Sequence, residues 1–208
     1  MRFDPSEVSP SKIYGAMVSI IVPRPIAWVS TVSHHGIPNL APFSFFMGVS
    51  SDPPTVAISV GNKRDGSMKD TARNIIDTKQ FVINVVPRPL AEAMVATSAE
   101  FPPHVNEFGA AGVRGVPAEK VRPARVAGAP AVLECTLYDC IEVRADGPAG
   151  TGPVNQRLIL GRIELIVVSD AALGEDGRID SAKLAPVARL GGIGYAELGE
   201  VFEIKRPD

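Results

Sequence analysis

Prolines and glycines, 19 of each in 208 residues, cut this chain into short segments and so favour strands over long helices. Several segments between these breaks alternate with period two. In Val132–Val143 the odd positions Leu133, Cys135, Leu137, Ile141 and Val143 are apolar, with Asp139 the exception, while Glu134, Thr136, Tyr138 and Glu142 fall between them. That pattern predicts a half-buried strand with one wet face. Arg157–Val168 repeats it, with Ile159, Ile163, Leu165 and Val167 on one side. Ile26–Ser33, Thr55–Val60 and Phe81–Val86 read as further strands, Val201–Ile204 as a last edge strand, and Gly147–Pro153 as the turn between the two long ones.

Helices are fewer. Ser67 can cap a helix in which Asp70 occupies the third position, and Met68, Ala72, Ile75 and Ile76 make its apolar stripe. Pro89–Ser98 and Ser181–Val187 are shorter candidates, and Ala99–Ala129 reads as a long irregular excursion. Strands separated by so few helices argue against a doubly wound parallel sheet, which needs a helix after each strand. A closed or partly closed antiparallel barrel fits, as one domain over residues 1–208.

Several functions are disfavoured. The formal charge of -2 and scattered basic residues leave no footprint for nucleic acid. No apolar run approaches the ~20 residues of a membrane span. Met1–Lys12 is polar, without the apolar core of a signal peptide, so a cytoplasmic location is expected. Cys135 and Cys140, five apart in a strand, should face opposite ways and stay unpaired. His34, His35 and His104 give no metal-ligand spacing. Gly192-Ile193-Gly194 begins like a dinucleotide fingerprint but has Glu197 where the third glycine belongs. No nucleophile or triad can be assembled.

Two clusters can carry chemistry. Arg64, Ser67 and Lys69 gather where the best helix begins, and free N-terminal amides there favour anions. The competing account is a capped surface helix with solvated charges, and Asp70 supports it by already neutralising the helix end. Asn39, with a donor and an acceptor, precedes Ala41-Pro42-Phe43; it is either a polar ligand or a turn residue. Trp28, in an alternating strand, is expected in the core.

Eight motifs follow one another along the chain. Pro23-Arg24-Pro25-Ile26-Ala27-Trp28-Val29-Ser30-Thr31 is followed by Asn39-Leu40-Ala41-Pro42-Phe43-Ser44-Phe45-Phe46, Asp52-Pro53-Pro54 and Lys69-Asp70-Thr71 with Asn74 and Ile75. Phe81-Val82-Ile83-Asn84, Glu107-Phe108, Leu133-Glu134-Cys135 and Arg189-Leu190-Gly191-Gly192 with Tyr195 complete the series. Their order resembles the flavin-reductase-like, FMN-binding split-barrel family, and the Pro-Arg-Pro opening is similar to its flavoredoxin-like branch. The resemblance implies a mainly β split barrel, a homodimer with one FMN per subunit, and reduction of flavin by NADH or NADPH. Its alternative is an electron carrier with tightly held FMN, serving a redox protein partner.

The resemblance also turns the two clusters into one cofactor site. Asn39, Ser44 and Thr31 would contact the ring or ribityl chain, over the backbone of Ala41, Pro42 and Phe43. Lys69, Arg64, Ser67 and Thr71 would hold the phosphate with Asp70 orienting them, and Ser59 and Lys63 are further candidates. Arg24 either reaches FMN or decorates a turn. Arg189 and Tyr195 would lie on the substrate side or at an interface. Many such reductases carry a His five residues before the glycine matched by Gly161; here that position is Gln156, which cannot be protonated near neutral pH.

Overall fold

In a computed structural model, residues 1–207 are described. The chain opens with helix α1 (Pro10–Ile20), strands β1 (Arg24–Pro25), β2 (Ala27–Val32), β3 (Pro38–Phe43), β4 (Phe46–Ser51) and β5 (Pro54–Gly61), and helix α2 (Asp70–Thr78). Strand β6 (Gln80–Asn84), helices α3 (Ala91–Ala96) and α4 (Glu107–Ala110), and the ribbon β7 (Gly115–Val116) with β8 (Arg125–Val126) follow. Strands β9 (Ala131–Arg144) and β10 (Val154–Val168), helix α5 (Ser181–Leu184) and strands β11 (Ala188–Arg189) and β12 (Tyr195–Ala196) end it. No helix among the described residues is long and apolar enough to cross a membrane.

The main sheet has seven strands in the order β3-β2-β6-β9-β10-β5-β4, all antiparallel. Its edges, β3 and β4, are neighbours in sequence, so the sheet must curl to bring them together. The short link between them brings β3 against β5, and Ser59 N on β5 donates to Phe45 O at 2.9 Å, one residue beyond the β4–β5 pairs. The result is the mainly β split barrel that the sequence predicted.

Apolar side chains fill both sides of this wall. Val29, Phe43, Ile58, Val60, Phe81, Ile83, Cys135 and Ile159 pack inside, together with Ala72 and Ile75 of α2. Trp28, Leu40, Met94, Phe108 and Val126 form a second core outside it. Strand β2 is therefore buried on both faces, and Trp28 Nε1 donates to Thr97 Oγ1 at 2.9 Å as a buried indole requires. Gly161 on β10 leaves room for the Phe81 ring, which any Cβ there would strike.

Four sequence expectations change. On β9 the register skips Tyr138, so the alternation inverts beyond it. Cys135, Leu137 and Cys140 all pack toward the inner core, whereas Ile141 and Val143 are exposed. The two cysteines thus share a face, and both are free. On β10 the register skips Glu164, which sends Val167 to a separate cluster with Val82, Val121 and Val132 while Ile159 and Ile163 stay inside. Val201–Ile204 forms no strand and is exposed. Ser67 does not cap α2: it bonds Asp65 through N at 2.8 Å and Oγ at 2.6 Å, and the helix starts three residues later behind Lys69.

Candidate cofactor groove

The motif Asn39–Ser44 forms the floor of a trough. Its first cavity, about 90 Å³, is lined by Asn39, Ala41, Pro42 and Phe43 on β3, by Lys63 in the turn after β5, and by Lys69, Asp70 and Thr71 at the start of α2. Pro42 and Phe43 also line a second cavity of about 160 Å³ with Ser44, Arg189 and Tyr195. Ser44 continues into a third of about 310 Å³ with Arg24, Phe45, Met47 and Ser59. The three cavities lie side by side along β3 and its link to β4, with Pro42, Phe43 and Ser44 lining neighbouring ones. Most residues expected of the site are thereby gathered on one face, although they come from opposite ends of the chain.

At the first cavity α2 begins without a side-chain cap, so the amides of its opening turn keep their donors. Lys69 stands at the N-cap and makes no ion pair among the described residues. Asp70 is held by two cations, Lys63 Nζ at 2.7 Å and Arg73 Nη1 at 2.7 Å. Three acids and bases thus lock one another beside the helix end, leaving Lys69 as the free cation.

Arg64 and Ser67 are both exposed and line none of these cavities. The turn that spaces them from α2 points them outward and turns Lys63 inward. Thr31 is buried behind the floor, where its Oγ1 accepts from Asn74 Nδ2 at 3.0 Å. Arg24 is buried and its guanidinium donates to the carbonyls of Val18 at 2.6 Å, Ile21 at 3.0 Å and Leu190 at 2.9 Å. It fastens α1 to the C-terminal loop, and its donors are largely taken. Arg189 lies 4.5 Å over the Tyr195 ring. Gln156 stands opposite Gly61, and its Oε1 accepts from Ser59 Oγ at 3.3 Å.

Sequence reasoning missed the far wall. Thr97, Ser98, Ala99, Glu100 and Phe101 close the first cavity, and so does Glu107. Glu107 comes from the stretch read as an irregular excursion; only its place in the Glu107-Phe108 motif hinted at it. Its carboxylate is buried and accepts from Leu40 N at 3.3 Å. Burial raises its pKa to about 6, while the amides bonded to it pull the other way.

The family model for the flavin reductase like domain matches residues 18–182. The chain belongs to the flavin reductase-like family. A protein of Aquifex aeolicus is 40% identical to this family member over 197 residues, covering 95% of each chain. Among solved structures, nitrilotriacetate monooxygenase component B from Bacillus cereus superposes with a TM-score of 0.90 at 31% identity, covering 98% of each chain. Pseudomonas fluorescens 2-nitrobenzoate 2-nitroreductase NbaA gives a TM-score of 0.85 at 27% identity, covering 100% of this chain and 96% of that one. For this flavin reductase-like chain, the matched span includes β2 to α2 and Glu107, hence the residues that line the first cavity.

Proposed function

We propose that the protein is a single-domain FMN-binding oxidoreductase, active as a homodimer, that reduces flavin with NADH or NADPH. The observation that carries the reading is the trough, with Ala41, Pro42 and Phe43 along its floor and, at one end, Lys63, Lys69 and the uncapped start of α2 beside Asp70, Glu100 and Glu107. An elongated cofactor with a planar ring and a terminal phosphate has matching chemistry. Lys69, Lys63, Thr71 and the first amides of α2 would hold the phosphate. Ala41, Pro42 and Phe43 would carry the ring, with Ser44 bonding its polar edge; Ser59, Arg24, Arg189 and Tyr195 stand at the other end. When bound, the flavin supplies the hydride-accepting ring, so the protein's task is to hold, orient and shield. That division of labour suits a site without a nucleophile or triad.

Asn39 and Thr31 support the floor from within rather than touch the cofactor freely, since each is almost fully buried and hydrogen-bonded. Arg64 and Ser67 are left to the surface. Dimerisation is supported by exposed apolar side chains beside the trough: Tyr14, Met17, Ile20 and Ile21 on and after α1, and Met47 and Val49 on the edge strand β4. Gln156 favours a second reading, an FMN electron carrier with little NAD(P)H turnover, because it offers Ser59 an amide in place of a titratable imidazole. The visible spectrum of purified protein, before and after NADH or NADPH, decides between them. Yellow that bleaches supports the reductase, yellow that persists supports the carrier, and no colour after FMN titration removes both. Light scattering at micromolar concentration tests the dimer; a mass near 22 kDa would refute it.

A further inference from the structure

One polar chain separates the trough from a neighbouring cavity of about 340 Å³. Glu107 and Asn39 line both spaces, and Thr71 lines the trough alone. Glu107 Oε1 lies 3.1 Å from one end of the Asn39 side-chain amide, and the other end lies 3.0 Å from Thr71 Oγ1. An amide has a donor end and an acceptor end, whereas an ionised carboxylate only accepts. With Glu107 ionised, Asn39 must therefore turn its NH2 toward Oε1. Its carbonyl then accepts from Thr71 Oγ1 at 3.0 Å and Thr31 Oγ1 at 3.2 Å. The Thr71 proton is committed to the wall, and its hydroxyl offers the trough lone pairs only.

With Glu107 protonated, the polarity can reverse. The carboxyl donates to the Asn39 carbonyl, the amide nitrogen donates to Thr71 Oγ1 at 3.0 Å, and the Thr71 proton is released for a ligand; the NH2 then stands 3.2 Å from Leu40 N, which keeps Glu107 Oε2 as its acceptor at 3.3 Å. We infer that Glu107 is a positioning residue that sets, through the Asn39 amide, whether Thr71 presents a donor or an acceptor to the trough, so that binding an anion there takes up a proton. The inference deepens the flavin reading by making this wall the element that matches the site to an anionic phosphate; the polarity switch itself stands on the protein alone.

The groups around Glu107 suit such a role. Lys63, Lys69, Asp70 and Glu100 face it from the trough. His34, His35, His104, Arg73 and Asp77 face it from the neighbouring cavity. Burial is the dominant influence and raises the carboxyl to about 6, with Asp70 reinforcing it and Lys63 and the Leu40 amide opposing. The proton can therefore be exchanged near neutrality.

The test compares FMN binding, followed by quenching of flavin fluorescence, in wild type and Glu107→Gln from about pH 5.5 to about pH 8 at constant ionic strength. The glutamine amide can donate to the Asn39 carbonyl at every pH, so the donor state of Thr71 stays available without a proton being taken up. FMN's own phosphate ionises near pH ~6 but does so in both experiments, and the ratio of dissociation constants removes it. That ratio, wild type over variant, should climb roughly tenfold between about pH 6 and about pH 8; a flat ratio overturns the proposal. A second measurement needs no ligand. The Asn39 side-chain amide signals in the nuclear magnetic resonance spectrum of the wild type should shift with a midpoint near pH 6. Signals that stay still across that range overturn the proposal whether or not FMN binds. Failure of FMN to bind, with the shift present, sinks the flavin reading and leaves the switch standing.

Discussion

Two glutamates buried against the same barrel have opposite acid strengths. Glu134 on β9 is fully buried and accepts from Glu119 N at 3.0 Å, Lys120 N at 2.6 Å and Arg125 Nε at 2.6 Å. Burial alone would raise its pKa, but those backbone amides and the Arg125 guanidinium outweigh it and hold the carboxyl below its usual range. Glu107 is almost as buried, yet has the Leu40 amide and the Asn39 side chain, with no cation in contact, and its pKa rises to about 6. Burial is common to both; the supply of donors differs. The saturated carboxylate is a fastener that ties the Glu119–Arg125 loop to the sheet, and the undersupplied one lines the trough. A carboxyl near neutrality beside a cavity is the arrangement expected of a functional group.

Breaking the fastener should produce the largest effect. Glu134→Ala leaves Arg125 and two loop amides without their partner, and should cost about 3–5 kcal/mol in urea unfolding. Because the native carboxyl is a stronger acid than the unfolded one, its stabilisation is present at neutral pH and lost as pH falls below the ordinary carboxylate range. The variant should therefore also lose part of the wild type's acid sensitivity; an unchanged acid profile would show that Glu134 is no fastener.

On the trough side, Lys69→Ala removes the one cation there without an ion pair. A charge-assisted contact contributes ~1.5–3 kcal/mol, so FMN affinity should fall roughly tenfold to a hundredfold while riboflavin affinity holds. Equal losses for both flavins would trace the effect to misfolding. Asn39→Leu should act on the fold as well as on the ligand, because it strands Glu107 and Thr71 together. Unfolding should be easier by about 1–3 kcal/mol, and a folded variant of unchanged stability would mean that the polar wall is not a unit.

Glu107→Gln gives the smallest change and the opposite sign to Glu134→Ala. The native carboxyl holds its proton more tightly than the unfolded one, so wild-type stability should decline as pH rises from about 4.5 to about 6 and then level. The amide variant lacks that decline, and at pH ~7 should be more stable by about 1–2 kcal/mol. Parallel stability curves across this range would remove the contrast between the two glutamates.

Neighbouring residues with a period of two or 3.6 carried the β class and the apolar face of α2, and the motif resemblance carried the floor of the trough. The sequence also placed Trp28 in the core and Lys69 and Thr71 at a helix start. Tertiary structure decided what local period cannot carry. One extra residue at Tyr138 and one at Glu164 inverted the strand faces, moving Cys140 inward and Ile141 and Val143 to the surface. The turn after β5 chose Lys63 over Arg64 for the cavity, and the carbonyls of Val18, Ile21 and Leu190 claimed Arg24. Helix α1 was not foreseen, since only Val18 of it is buried and its stripe gives little amphipathic signal. Glu107 was the largest omission. It reaches the floor through Leu40, 67 residues away in sequence, and its acid strength depends on how many donors that distant packing brings to a carboxylate out of water.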